Sequence, residues 1–122
     1  TVRGMFMDDI IKYMELLIQA VKESNEYRLY KQAEASLNET PQLKIRVDDF
    51  SRANHRLHTQ KDPQKLFQGI RELDEESKEL MRIPQVNAYF QAELDLCKLL
   101  QYISLEINGG IDIHVPGTTL YE

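Results

Sequence analysis

Two histidines are the first residues in this chain whose spacing could support chemistry. His55 and His58 are three positions apart, a separation at which two imidazoles on one helix can share a metal ion. No third ligand follows at a recognisable spacing, and Arg52 and Arg56 add positive charge beside the pair. The sequence therefore predicts that the chain holds no metal. A small metal-dependent hydrolase that uses these histidines and nearby carboxylates is kept as an alternative to this prediction.

The other candidate groups do not form a constellation. Glu93, Asp95 and Cys97 are two residues apart, so on a helix their side chains point in different directions. Cys97 is the only cysteine, which excludes an intrachain disulfide, and we expect it to be a small buried hydrophobe. The sequence has no glycine-rich phosphate loop, nucleophile elbow or HExxH motif. We predict a protein that is not an enzyme, with no catalytic residue and no cofactor.

Charge is distributed unevenly along the chain. The net charge is -5, but residues 42–65 hold six basic and three acidic side chains (+3) and residues 66–122 hold four and ten (-6). Opposite charges of this kind would let copies attract one another. The most basic portion contains the candidate partner-binding residues Arg52, Asn54, His55 and Arg56. A solvated face, an acidic protein partner and RNA all stay open, although missing aromatic residues make direct nucleic-acid binding the least expected.

Helical periodicity covers most of the chain. Apolar residues recur at spacings of three and four in five segments, at about residues 5–23, 26–38, 41–60, 63–82 and 84–108. Thr40-Pro41 and Asp62-Pro63 place a capping residue before a proline, which is typical of a helix start. We predict an all-α fold, an elongated antiparallel bundle of four to five helices in a single domain over residues 1–122.

The segment after Pro84 organises this bundle. A helix from Pro84 to Asn108, closed by Gly109-Gly110, would be roughly 37 Å long, whereas a compact globule of this size has a radius of gyration of about 14 Å. The fold should therefore be elongated or oligomeric. Asn54 interrupts the seam of the third helix, where it either fixes register or faces solvent. The candidate core and oligomer seam consists of Phe50, Leu57, Val86, Tyr89, Phe90, Leu96, Leu100 and Ile103.

The two ends differ from the helical middle. Residues 1–4 are predicted to be a flexible lead-in, and residues 109–122 an extended or mobile tail. Ile111, Ile113 and Val115 alternate with polar residues, which is the period of a strand. No apolar run is long enough to span a membrane, and no signal-peptide pattern opens the sequence. A cytoplasmic protein without membrane contact is the expectation.

The order of several motifs resembles a known family. The motifs are Ser24-x-Glu26-Tyr27-x-x-Tyr30-x-x-Ala33, Leu37, a helix opened by Pro41 that contains Phe50, and Pro84-x-Val86-x-x-Tyr89-Phe90-x-Ala92-Glu93 leading to Leu99-Leu100. In this order they resemble the YlbF/YmcA family of small bacterial helical proteins, from about Ile10 to Ile113.

The resemblance implies an all-helical cytoplasmic protein that forms a dimer or larger oligomer with itself or with a related family member. It implies a regulatory role in competence, sporulation or biofilm formation, in part by assisting an endoribonuclease in mRNA processing. Some family members are associated with iron-sulfur clusters, but a chain with Cys97 alone could hold one only if several subunits each contributed a ligand.

The sequence therefore predicts a non-enzymatic helical adaptor that acts by oligomerisation and by binding a regulatory protein partner. A metal-dependent hydrolase and a direct RNA-binding protein are the alternatives.

Overall fold

A computed structural model of the chain describes the backbone of residues 2–112 and the side chains of residues 7–112. This part of the chain folds into five helices without a strand, which confirms the all-α prediction. The helices are α1 (Val2–Lys22), α2 (Asn25–Asn38), α3 (Pro41–Leu57), α4 (Pro63–Met81) and α5 (Pro84–Ile111).

The helix starts follow from local chemistry. Prolines occupy the first positions of α3, α4 and α5, where the missing N–H costs no hydrogen bond. The carboxylate of Asp62 accepts hydrogen bonds from the backbone amides of Gln64 (3.0 Å) and Lys65 (3.5 Å) and so caps α4. The hydroxyl of Ser24 accepts one from the amide of Tyr27 (3.1 Å) at the start of α2. Thr40, expected to cap α3, makes no side-chain capping hydrogen bond.

Three predicted boundaries are wrong. Helix α1 begins at Val2 rather than after Gly4, because a single glycine lowers helix propensity by about 1 kcal/mol without ending a helix. Helix α3 ends at Leu57 instead of Gln60, because the amides of His58, Thr59 and Gln60 donate to the carbonyls three residues earlier rather than four. The hydroxyl of Thr59 also donates to the carbonyl of Arg56 (2.8 Å).

Helix α5 continues through Gly109 and Gly110 to Ile111, so the tail does not begin at residue 109. The helix ends where Asp112 adopts a left-handed backbone conformation with φ of 59°, which Asp tolerates better than most residues. Ile111, predicted to start an alternating strand, is helical. The rest of the predicted tail, with Ile113 and Val115, lies outside the described residues.

The chain divides into two compact units. The central unit is Gln32–Glu93, and the terminal unit combines Thr1–Lys31 with Leu94–Glu122. Helices α2 and α5 contribute residues to both. The prediction of a single domain stays a prediction.

The central unit has a buried core. Each of its four helices supplies one fully buried aliphatic side chain, namely Leu37, Val47, Leu80 and Val86. Helices α3 and α4 run antiparallel, because Arg46 near the start of α3 contacts Glu76 and Glu79 near the end of α4, while Leu57 at the end of α3 contacts Gly69.

Candidate interaction surface

The terminal unit, unlike the central unit, exposes its apolar side chains. Every side chain from Ile11 to Ala20 is exposed, and no described side chain of this unit is buried. Among its large apolar residues, Met14 is 51% exposed and Leu100 is 48% exposed. A helix that is apolar over a broad face is stable when that face is covered. The exposed large apolar residues of this unit are Met7, Ile10, Ile11, Tyr13, Met14, Leu16, Leu17, Ile18, Leu29, Leu94, Leu100, Tyr102, Leu105, Ile107 and Ile111.

A groove of about 300 Å³ lies where α1, the start of α2 and α5 meet within this unit. Among the described residues that line it, Lys22 is the only charged one. The apolar lining comes from all three helices: Leu17, Ile18 and Val21 from α1, Tyr27 from α2, and Leu96, Leu100 and Ile103 from α5. We call this groove, together with the exposed residues Met7, Ile10 and Met14 of α1 and Ile107 of α5, the α1–α5 apolar surface.

The structure divides the predicted seam into two groups. Val86 and Tyr89 are buried in the central unit, and the ring of Phe90 makes edge contacts with those of Phe50 (5.9 Å between centroids) and Tyr89 (5.8 Å). Leu57 is half-buried against Gly69. These five residues serve the fold of one chain. The second group, Leu96, Leu100 and Ile103, lines the groove of the terminal unit.

The candidate partner-binding residues lie on the exposed side of α3. Arg52, Asn54, His55 and Arg56 are all exposed, so Asn54 faces solvent rather than a seam. Arg52 donates a hydrogen bond to the carboxylate of Asp49. His55 and Arg56 occupy the last turn of α3, where positive charge suits the negative end of the helix dipole.

No metal site forms around the histidines in the part of the chain with described side chains. Within residues 7–112, no group of three or more His, Cys, Asp or Glu side chains is arranged to hold an ion. Cys97, which we expected to be buried, is exposed. An apolar stripe in the sequence does not reveal whether its covering partner belongs to the same chain, and this is why the burial of Cys97 was predicted wrongly.

Ion pairs hold α3 against α4. Arg46 donates to Glu76 (2.7 Å) and Glu79 (2.8 Å), and its hydrogen bond with Glu76 raises the pKa of Arg46. On the exposed side of α4, Lys78 lies 3.1 Å from Asp74 and 3.9 Å from Glu75. The hydrogen bond with Asp74 raises the pKa of Lys78. The contacts of Arg46 join α3 to α4 and fix the register of this hairpin, whereas those of Lys78 lie within α4.

Sequence reasoning missed the part of the α1–α5 apolar surface that α1 contributes. The stripe of Met7, Ile10, Met14 and Leu17 is visible in the sequence, yet it predicts one buried face. Tyr13 and Leu16 lie on the other side of α1 and are also exposed. They could have indicated in the sequence that α1 has a second face to cover, because a helix packed only within its own chain rarely carries large apolar residues all round.

Comparison with known proteins identifies the family of this chain. Residues 10–112 match the family model described as "Control of competence regulator ComK, YlbF/YmcA". The comparison with curated proteins returned no match. In the described part of the chain, no helix combines the length and apolar composition needed to cross a membrane. The match covers most of the chain, so the protein belongs to the YlbF/YmcA family and its role is regulatory.

Proposed function

We propose that the protein is a non-enzymatic helical adaptor that regulates by self-association and by binding another protein, in the cytoplasm. The observation that supports it is the α1–α5 apolar surface, which is exposed in the isolated chain while the central unit has its own core. Covering a half-exposed Leu, Ile or Met gains about 1 kcal/mol. Several such residues together make association favourable, even after the entropy cost of binding is subtracted.

A second copy is the proposed occupant of this surface. Two-helix layers such as α1 with the second half of α5 commonly bury their apolar faces against another helical layer, which gives a four-helix arrangement. An isologous contact requires the same patch on both copies, and one chain carries only one such surface among its described residues. A related family member with a similar surface would bind in the same way.

Sedimentation of a Leu100→Asp variant tests this contact. A carboxylate in the middle of this mostly apolar groove would lose its hydration when the contact forms, so we expect the dissociation constant to rise at least about tenfold. Ile45→Asp is the matched control, because Ile45 is similarly exposed (59%) but lies in the central unit. Circular dichroism should show unchanged helicity in both. Equal association of the Leu100→Asp variant and the wild type would contradict the proposal.

The residues Arg52, Asn54, His55 and Arg56 are proposed to bind the regulatory protein partner. Their exposure and the local positive charge support an acidic surface as its counterpart. In capture from native lysate, an Arg52→Ala, Arg56→Ala variant should lose a partner that the wild type and an Arg28→Ala control retain. Identical captured proteins for all three would rule these residues out.

A further inference from the structure

Helix α4 carries a polar stripe with the spacing of a helix–helix seam. The stripe begins just before the helix and advances by four, three, four, three and four residues. This spacing keeps residues on one side of a helix and is the repeat found where two helices pack side by side. All six side chains are exposed. They are Lys61, Lys65, Gln68, Glu72, Glu75 and Glu79.

The charge of this α4 stripe changes sign once. Among the described residues, Lys61 and Lys65 form no ion pair. Glu72 accepts a hydrogen bond only from the amide of Gln68 (3.1 Å). Glu75 is 3.9 Å from Lys78, which is closer to Asp74, and Glu79 shares Arg46 with Glu76. The stripe is thus positive before Gln68 and negative after it, and the cations lack local partners.

We propose that α4 is a second self-association surface, on which α4 of another copy packs antiparallel about a twofold axis near residue 70. In this register Lys61 faces Glu79 of the second copy, Lys65 faces its Glu75, and Gln68 faces its Glu72. The symmetry forms each pair twice. The inference does not rest on the proposed function, because α4 lies wholly in the central unit and shares no residue with the α1–α5 apolar surface.

The order of charges selects a second copy over other partners. RNA or a uniformly acidic protein would attract Lys61 and Lys65 but would be repelled by Glu72, Glu75 and Glu79 further along the same stripe. A uniformly basic partner would be attracted by the three glutamates but repelled by Lys61 and Lys65. Only a surface with the reversed charge order satisfies both halves, and the same helix in antiparallel orientation supplies it.

The contact formed in this way is weak and sensitive to salt. Pairs between exposed side chains contribute little individually and are screened at high ionic strength. A copy already held through another contact would form them more readily, because tethering raises the effective concentration. The α4 contact alone is therefore weak, and it is measured at low salt and high protein concentration.

Charge reversal provides a decisive test, carried out in the full chain with Leu100→Asp so that the α4 step is measured by itself. In sedimentation equilibrium at about 50 mM salt, Lys65→Glu alone and Glu75→Lys alone should each weaken association about tenfold or more, since each places like charges opposite one another twice. The Lys65→Glu, Glu75→Lys double variant should recover the association of the Leu100→Asp parent chain. An equimolar mixture of the two single variants should also recover it, as a heterodimer.

The controls are Arg28→Glu and Glu39→Lys, which change the net charge equally away from the stripe, and a repeat at about 500 mM salt, where association should fall. Single variants that associate like the controls would overturn the proposal. Weaker association of the single variants, without recovery in the double variant or in the mixture, would also overturn it. Association that returned only when RNA was added would overturn it as well. Failure of the α1–α5 contact would instead show as no difference between the Leu100→Asp chain and the wild type.

Discussion

At the scale of single residues, Gly69 shows how the effect of a substitution in one helix depends on a side chain of its neighbour. A Cβ atom at this position would lie 2.5 Å from the Cδ1 atom of Leu57. The glycine therefore lets α3 and α4 approach closely near the turn that joins them. The sequence alone suggests only a weak point in α4, because the close approach depends on the register between two helices.

Alanine substitutions at Gly69 and Gly109 distinguish the effect of the contact with Leu57 from the effect of helix propensity. Gly109→Ala, where the added Cβ meets open space, should raise the free energy of unfolding by up to about 1 kcal/mol. Gly69→Ala should raise the free energy of unfolding by less, because Leu57 must rotate away from the added methyl group. This rotation is possible because the Cδ1 atom is the flexible end of a half-buried side chain. Urea unfolding of the two variants measures the difference. A larger gain at Gly69 than at Gly109 would show that Leu57 does not restrict this site.

Arg46 is the residue whose charge holds the α3–α4 hairpin in register. Arg46→Met keeps much of the aliphatic side chain but removes the ion pairs with Glu76 and Glu79. The variant should have a lower thermal midpoint at low salt, and the deficit should shrink at high salt because screening already weakens the pairs in the wild type. Lys44→Met, which removes an ion pair within α3 only, is the control and should have the smaller effect.

At the scale of helices, the sequence predicted starts better than ends. Proline fixes its own φ angle and lacks an N–H, so Pro41, Pro63 and Pro84 determine where helices begin almost irrespective of their surroundings. Ends depend on competition for the last carbonyl groups. Helix α3 ends early because its last amides donate to carbonyls three residues back. Helix α5 passes through two glycines and ends at Asp112, which adopts the left-handed backbone conformation.

The end of α5 should be its least stable part. Gly109 and Gly110 each lower helix propensity by about 1 kcal/mol relative to alanine, and no described side chain contacts the position of a Cβ at either residue. Amides of residues 108–111 should exchange hydrogen much faster than those around Val86 and Tyr89, which are buried. The Gly109→Ala, Gly110→Ala variant should slow that exchange. Equal rates in both regions would contradict this description of α5.

At the scale of the whole molecule, the sequence specified the helices but could not assign their apolar faces. The same seam spacing leads to a buried Val86 and to a half-exposed Leu100 on one continuous helix. Periodicity identifies a face that needs covering, but whether the cover comes from the same chain is a property of three-dimensional packing. The candidate partner-binding residues on α3 were predictable as exposed for the simpler reason that they are polar.

Two substitutions should separate the core from the association surface. Leu37→Ala removes a fully buried side chain and should lower the free energy of unfolding by about 2–5 kcal/mol at any protein concentration. Met14→Ala truncates a residue that is half exposed in one chain, so its effect should be small in dilute solution and grow with protein concentration, because association is linked to folding by mass action. Denaturation at two concentrations checks both. A concentration-independent loss for Met14→Ala would mean that α1 is covered within the chain.

The exposed thiol of Cys97 has a practical consequence for counting subunits. It is the only cysteine of the chain, so a maleimide dye attaches once per copy and the number of bleaching steps from a single particle equals the number of chains in it. Particles with two steps would correspond to one type of contact, and particles with four or more would require both the α1–α5 and the α4 contacts. Individual assemblies, rather than an average mass, would then show how far a regulator of this family polymerises.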